Sequence, residues 1–136
     1  MMERINKVYT PAFAREMLKK IQTGVINEQE AVELRRKLID TIEQKYQSFI
    51  MGYGGGIIQP ERRFINHVGN SMNTLKLEYT DLNIFAAACA LSTVLLRKYS
   101  GMQGFPMVPD VSQYNTDAGI ADLMNKIVAF YNGDDF

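Results

Sequence analysis

The residue that most needs a chemical explanation is Arg35. At about 100° per residue it falls inside an apolar helical stripe, flanked by Ala31, Leu38, Ile39 and Ile42. A buried guanidinium without an anion or carbonyl beside it is very costly. Two solutions stay open. The side chain snorkels to water or pairs within the chain, or it turns toward a polyanion lying beside this face. A second grouping, Arg63 with Asn66, Asn70 and Asn73, lines one helical face. One charge and three amide donors suit phosphate oxygens, although a solvated face has the same composition.

The other candidates for chemistry point away from catalysis. Gly52-Tyr53-Gly54-Gly55-Gly56 lacks the Lys-Ser/Thr pair of a phosphate loop and follows a helix, so it reads as a helix stop and turn. His67 is the single histidine and cannot build a zinc site without cysteines or a second imidazole. Cys89 is the single cysteine. It excludes an internal disulfide and, among small apolar neighbours, behaves as a small hydrophobe. Glu28, Glu30 and Glu33 suit the first turns of their helix. No set of nucleophile, base and oxyanion donor can be assembled. The expectation is therefore a non-enzyme with no catalytic residues, no metal, no cofactor and no small-molecule substrate.

These residues must be positioned by helices. Thr10-Pro11 opens the first, as an N-cap followed by proline in the first turn, and Gly24 ends it; Phe13, Ala14, Met17, Leu18 and Ile21 form its stripe. Asn27 to Glu30 reads as a capping box for a second helix to about Met51, with Val32, Leu38, Ile39, Ile42, Tyr46, Phe49 and Ile50 inward. A third runs from Pro60 to about Glu78 on Phe64, Ile65, Val68, Met72 and Leu75. Thr80-Asp81 caps a fourth through Lys98, apolar nearly all round as a central helix is. The short gap between the third and fourth predicts antiparallel neighbours. After a loop over 100–115 with Pro106 and Pro109, Asn115-Thr116-Asp117 starts a fifth helix, ended by Gly133. No alternation long enough for a strand appears. The reading is all-α: a four-helix bundle over 26–136 with an N-terminal helical arm over 1–25.

At 136 residues, 46% of them hydrophobic, the chain can bury one core. Fifteen basic residues balance fifteen acidic ones, but 1–63 carries an excess of three cations and 64–136 an excess of three acids. The opening MMERINKVYT has no apolar signal core, and 84–96 is too short and interrupted for a membrane span.

The order of elements resembles the major coat proteins of archaeal rod-shaped and filamentous viruses, the rudivirus, lipothrixvirus and tristromavirus groups. The residues that carry the likeness are a helix ending in Tyr53-Gly54 and Pro60 followed by Arg62 and Arg63 opening the next. The hairpin through Lys98, a loop with Tyr114-Asn115 and a closing helix to Tyr131 complete it. The resemblance implies subunits that dimerise with themselves or a paralogous coat subunit, and arms that wrap double-stranded DNA in an A-like form. Binding would be through backbone charge and shape, without base readout. It implies residence in the virion, and in the host cytoplasm before assembly. By position it assigns nucleic-acid binding to Lys7, Arg15, Lys19, Arg35, Arg36, Lys37, Arg62 and Arg63. The neutral net charge departs from a strongly basic coat, so these cations would face inward and acids such as Asp134 and Asp135 outward. The alternative is a small helical adaptor, of the kind of a phage anti-defence protein or a CRISPR small subunit, acting through an exposed helix face.

Overall fold

The chain is all-α. The computed structural model describes residues 3–50, 60–104 and 110–134, without the side chains of 45–50 and 60–61. The glycine cluster at 52–56, the Tyr53-Gly54 motif, Pro106, Pro109, Asp135 and the inward role of Tyr46, Phe49 and Ile50 lie outside the described residues. Among the described residues five α-helices follow one another: α1 (Pro11–Gln22), α2 (Glu28–Ile50), α3 (Pro60–Thr74), α4 (Asp81–Tyr99) and α5 (Asp117–Asn132), with 3-10 turns at Ser100–Met102 and Ser112–Asn115.

Local chemistry sets most of the ends. The hydroxyls of Thr10, Thr80 and Thr116 accept from the backbone N–H of Phe13, Asn83 and Gly119, and Asn27 Oδ1 accepts from Glu30 N–H. Each satisfies a donor that the helix leaves without a partner. Gly133 closes α5 at φ 76°, a left-handed position open to glycine at no steric cost. The end of α3 departs from expectation. Lys76 takes φ 57° and Leu77 N–H reaches back to the Met72 carbonyl, so the helix stops at Thr74, short of Glu78. A left-handed lysine does here what the sequence would signal with glycine.

The core is continuous. Leu38 and Ile42 from α2, Ile65, Val68 and Met72 from α3, and Leu123, Met124 and Ile127 from α5 are all buried around α4, whose Ile84, Ala87, Leu91 and Val94 are fully enclosed. α4 packs chiefly on α2 and α5, and α3 on α5 and α2, whereas α3 and α4 touch only lightly. The hairpin pairing expected from the short connection is therefore not the main contact. The six residues of 75–80 are enough to let α4 turn its all-round apolar surface to longer partners. By length and composition Asp81–Met102 would suffice to cross a membrane, more than the span 84–96 suggests; in the fold most of that helix is enclosed by the others. Where α3 meets α5, the Phe130 ring sits where a Cβ on Gly69 would be, so only glycine admits that approach.

Leu18 and Val32, expected inside, stand exposed, as do Val8, Val25 and Met102. α1 lies along α5 and makes little contact with α2, which leaves the corner between α1 and α2 uncovered.

Candidate functional site

The most distinctive construction lies where residues 3–10 cross the helices. This segment has neither helix nor strand, so its peptide groups must find partners elsewhere. Two asparagines of α5 supply them. Asn132 Oδ1 accepts from Ile5 N–H at 2.9 Å and its amide donates to the Ile5 carbonyl at 2.9 Å. Asn125 repeats the pattern on Tyr9, at 2.7 and 2.9 Å. A primary amide carries one acceptor and a donor in the geometry of a peptide, so each side chain pairs with the segment as a neighbouring strand would. Seven residues of helix rise about 10.5 Å, and four residues of extended chain reach about 13 Å. The segment therefore spans both clamps without being pulled taut, running antiparallel to α5.

Ion pairs follow the same track. Arg4 binds Asp134 through two nitrogens, at 2.9 and 2.7 Å. Lys7 Nζ meets Asp81 at 2.7 Å and lies 4.4 Å from the Phe13 ring centre. Tyr9 donates its hydroxyl to the same carboxylate at 2.6 Å, and Arg15 pairs with Asp117 at 3.0 Å. Burial alone would push Asp81 up, but hydrogen bonds from Lys7 and Tyr9, with the charges of Lys7 and Lys20, hold its carboxyl below the ordinary range. The hydrogen bonds from Arg4 hold Asp134 low as well. Burial and the bond to Asp81 push the Tyr9 phenol far up, so it remains a donor. Tyr79 is also pushed up, to about 12, chiefly by burial.

A groove of about 300 Å³ opens between α1, α2, α4 and the start of α5. Phe85, Cys89, Leu96 and Ile120 supply its apolar lining, and Arg35 and Asp117 stand at it. Arg35 thus does point to the interior side of α2, as its place in the stripe requires, but at that level the interior is open. The residue is exposed and its guanidinium donates to Thr93 Oγ1 at 3.2 Å. Burial pushes the Cys89 thiol up to about 11, against the lowering charge of Arg35.

The remaining expected cations scatter. Arg15 and Lys19 come together with Lys20 around a hollow of about 480 Å³ on the outer side of α1. Arg36 pairs with Glu33 one helical turn away, at 2.9 Å, and Lys37 is exposed on α2. Arg62 and Arg63 open α3, which packs on α2 and α5. Neither lines the hollow beside α1. Asp134, expected to face outward, is engaged by Arg4. His67 is half-buried, and its carbonyl accepts from Ser71 Oγ. Among the described residues no three His, Cys, Asp or Glu side chains gather as metal ligands would.

Sequence reasoning missed Arg4, Lys20 and both asparagines, and it placed Asp81 and Asp117 only at helix starts and Asp134 only as an outward acid. The asparagines alone left a signal: seven apart, at the edge of the apolar stripe of α5, they are poor helix formers placed where they can reach a neighbour. No protein-family model, curated protein or solved structure matches the chain.

Proposed function

We propose that the chain is a structural coat subunit of a helical virion that wraps double-stranded DNA without reading its sequence. The observation that carries this reading is the outer surface of α1. Arg15, Lys19 and Lys20 outnumber the one acid, Glu16, in the hollow there, where Glu16 pairs with Lys20, and Leu18, Val25 and Val32 stand exposed on α1, α2 and the turn between them. Cations of this kind take phosphate by counterion release. Exposed apolar residues beside them offer contact to the next subunit, and repetition along a filament multiplies modest contacts. The reading follows the resemblance to coat proteins of archaeal rod-shaped and filamentous viruses. In it, α2 to α5 are the four-helix bundle of 26–136 and residues 1–25 the N-terminal arm. The partners are DNA and a second copy or paralogous subunit. No catalytic step, metal, cofactor or small-molecule substrate is assigned, and the chain resides in the virion, or in the host cytoplasm before assembly.

Purified chain mixed with a long linear duplex and viewed by electron microscopy should form filaments. Arg15→Glu with Lys19→Glu should weaken that assembly and flatten its salt dependence by about two in log–log slope. Unchanged assembly and salt response in the double variant would overturn the proposal.

A second reading, the small helical adaptor, is favoured by the groove at Arg35, whose apolar lining and charged edge suit a helix from another protein. Light scattering at rising concentration separates the two, because an adaptor stays a small oligomer where a coat subunit polymerises.

A further inference from the structure

The three acids that meet the N-terminal segment come from separate elements: Asp81 from the first turn of α4, Asp117 from the first turn of α5, and Asp134 from just past its end. Each is engaged with one cation of a stretch, 3–22, that holds five basic and two acidic residues. We propose that Asp81, Asp117 and Asp134 form an intramolecular acid mask over Arg4, Lys7 and Arg15, which a polyanion must displace before it can use them. The inference rests on the reading of the chain as a DNA-wrapping subunit, and adds how that surface is regulated.

Two observations support displacement over a fixed structural role. All three pairs are exposed, with Arg15 71% and Asp117 38% accessible and the others between, so a competitor can reach them. Exposed pairs of this type add little to folding, and a phosphate oxygen offers guanidinium and ammonium groups the same charge-assisted bonds as a carboxylate. The segment itself stays registered through the asparagine clamps and buried Tyr9, Ala14 and Met17. Apart from the Tyr9 hydroxyl, which donates to Asp81, those contacts do not involve the acids, so exchanging carboxylate for phosphate does not require the segment to unfold. The mask keeps Lys7 and Arg15, both assigned to DNA, occupied in the free chain.

The test is duplex binding by full-length Asp81→Asn/Asp117→Asn/Asp134→Asn against the wild type. The control is Glu28→Gln/Glu30→Gln/Asp122→Asn, which changes net charge equally at acids not paired to the segment. The mask variant should bind a short DNA duplex about tenfold more tightly than the control, with a log–log salt slope steeper by about two to three. Equal binding by the two triple variants would overturn the mask, because net charge alone would then explain the gain. Should the triple variant fail to fold, the single Asp134→Asn should still tighten binding, and adding Arg4→Ala should abolish that gain. A gain that survives Arg4→Ala overturns the proposal. Tighter binding by the mask variant with no filament on long DNA supports the mask and sinks the coat reading; equal binding with filaments does the reverse.

Discussion

α4 and the segment at residues 3–10 are held in place by opposite means. In α4, ten residues between Ile84 and Leu95 are buried, and one buried side-chain bond, Ser92 to the Tyr114 carbonyl at 2.7 Å, fixes its rotation beside the 3-10 turn. Along 3–10 only Tyr9 is buried, and attachment comes from peptide-to-amide bonds and exposed ion pairs. Apolar burial is strong and tolerant of small slips, being proportional to area. Amide clamps contribute little net energy but accept one register, since a slip of one residue leaves polar groups unpaired. The first region holds the molecule together, and the second specifies where a basic segment lies.

The difference can be broken by experiment. Leu91→Ala, at a fully buried position, should lower the unfolding free energy by about 2–5 kcal/mol in urea titration, loosening every element together. A loss confined to one helix would contradict a single shared core. Asn125→Ala with Asn132→Ala should act locally. The peptide groups of Ile5 and Tyr9 turn to water when their partners go, at about 0.5–1.5 kcal/mol for each clamp, and hydrogen exchange at those two amides should quicken by about tenfold or less, on the order implied by that cost. A fall in the melting temperature as large as that of Leu91→Ala would erase the contrast.

The smallest effect expected is on acidification. Asp81 has a folded-state pKa below its ordinary value. Its contribution is therefore fully present above about pH 4 and is lost as pH falls through the lowered value. Exchange at Tyr9, corrected for intrinsic rates, should accelerate over that window ahead of the loss of helical circular dichroism, and Asp81→Asn should remove the acid dependence. Parallel acid curves for wild type and variant would show that Asp81 does not help to hold the segment.

The helices and their starts could be read from the chain because they depend on near neighbours. Thr10, Thr80 and Thr116 each cap a donor three residues on, and Gly133 closes α5. The stripe of α3 was legible for the same reason. Leu18 and Val32 were not, because periodicity shows which face is apolar but not whether a neighbour arrives to cover it. Arg35 lies on the face its spacing demands, yet only the packing of α1, α4 and α5 leaves a groove there. Lys7 and Arg15 were found as residues and missed as a surface, since their partners stand 74 and 102 positions away in the chain.

By itself, then, the sequence determined an all-helical molecule, the helix beginnings and an apolar α4 at its centre, all consequences of propensity, capping and a 3.6-residue period. Tertiary structure alone decided that residues 3–10 lie antiparallel on α5, that Asn125 and Asn132 act as surrogate peptide groups, and that Arg4, Lys7 and Arg15 meet carboxylates. Those choices rest on hydrogen bonds and ion pairs between distant residues, whose geometry exists only once the core has brought the helices together.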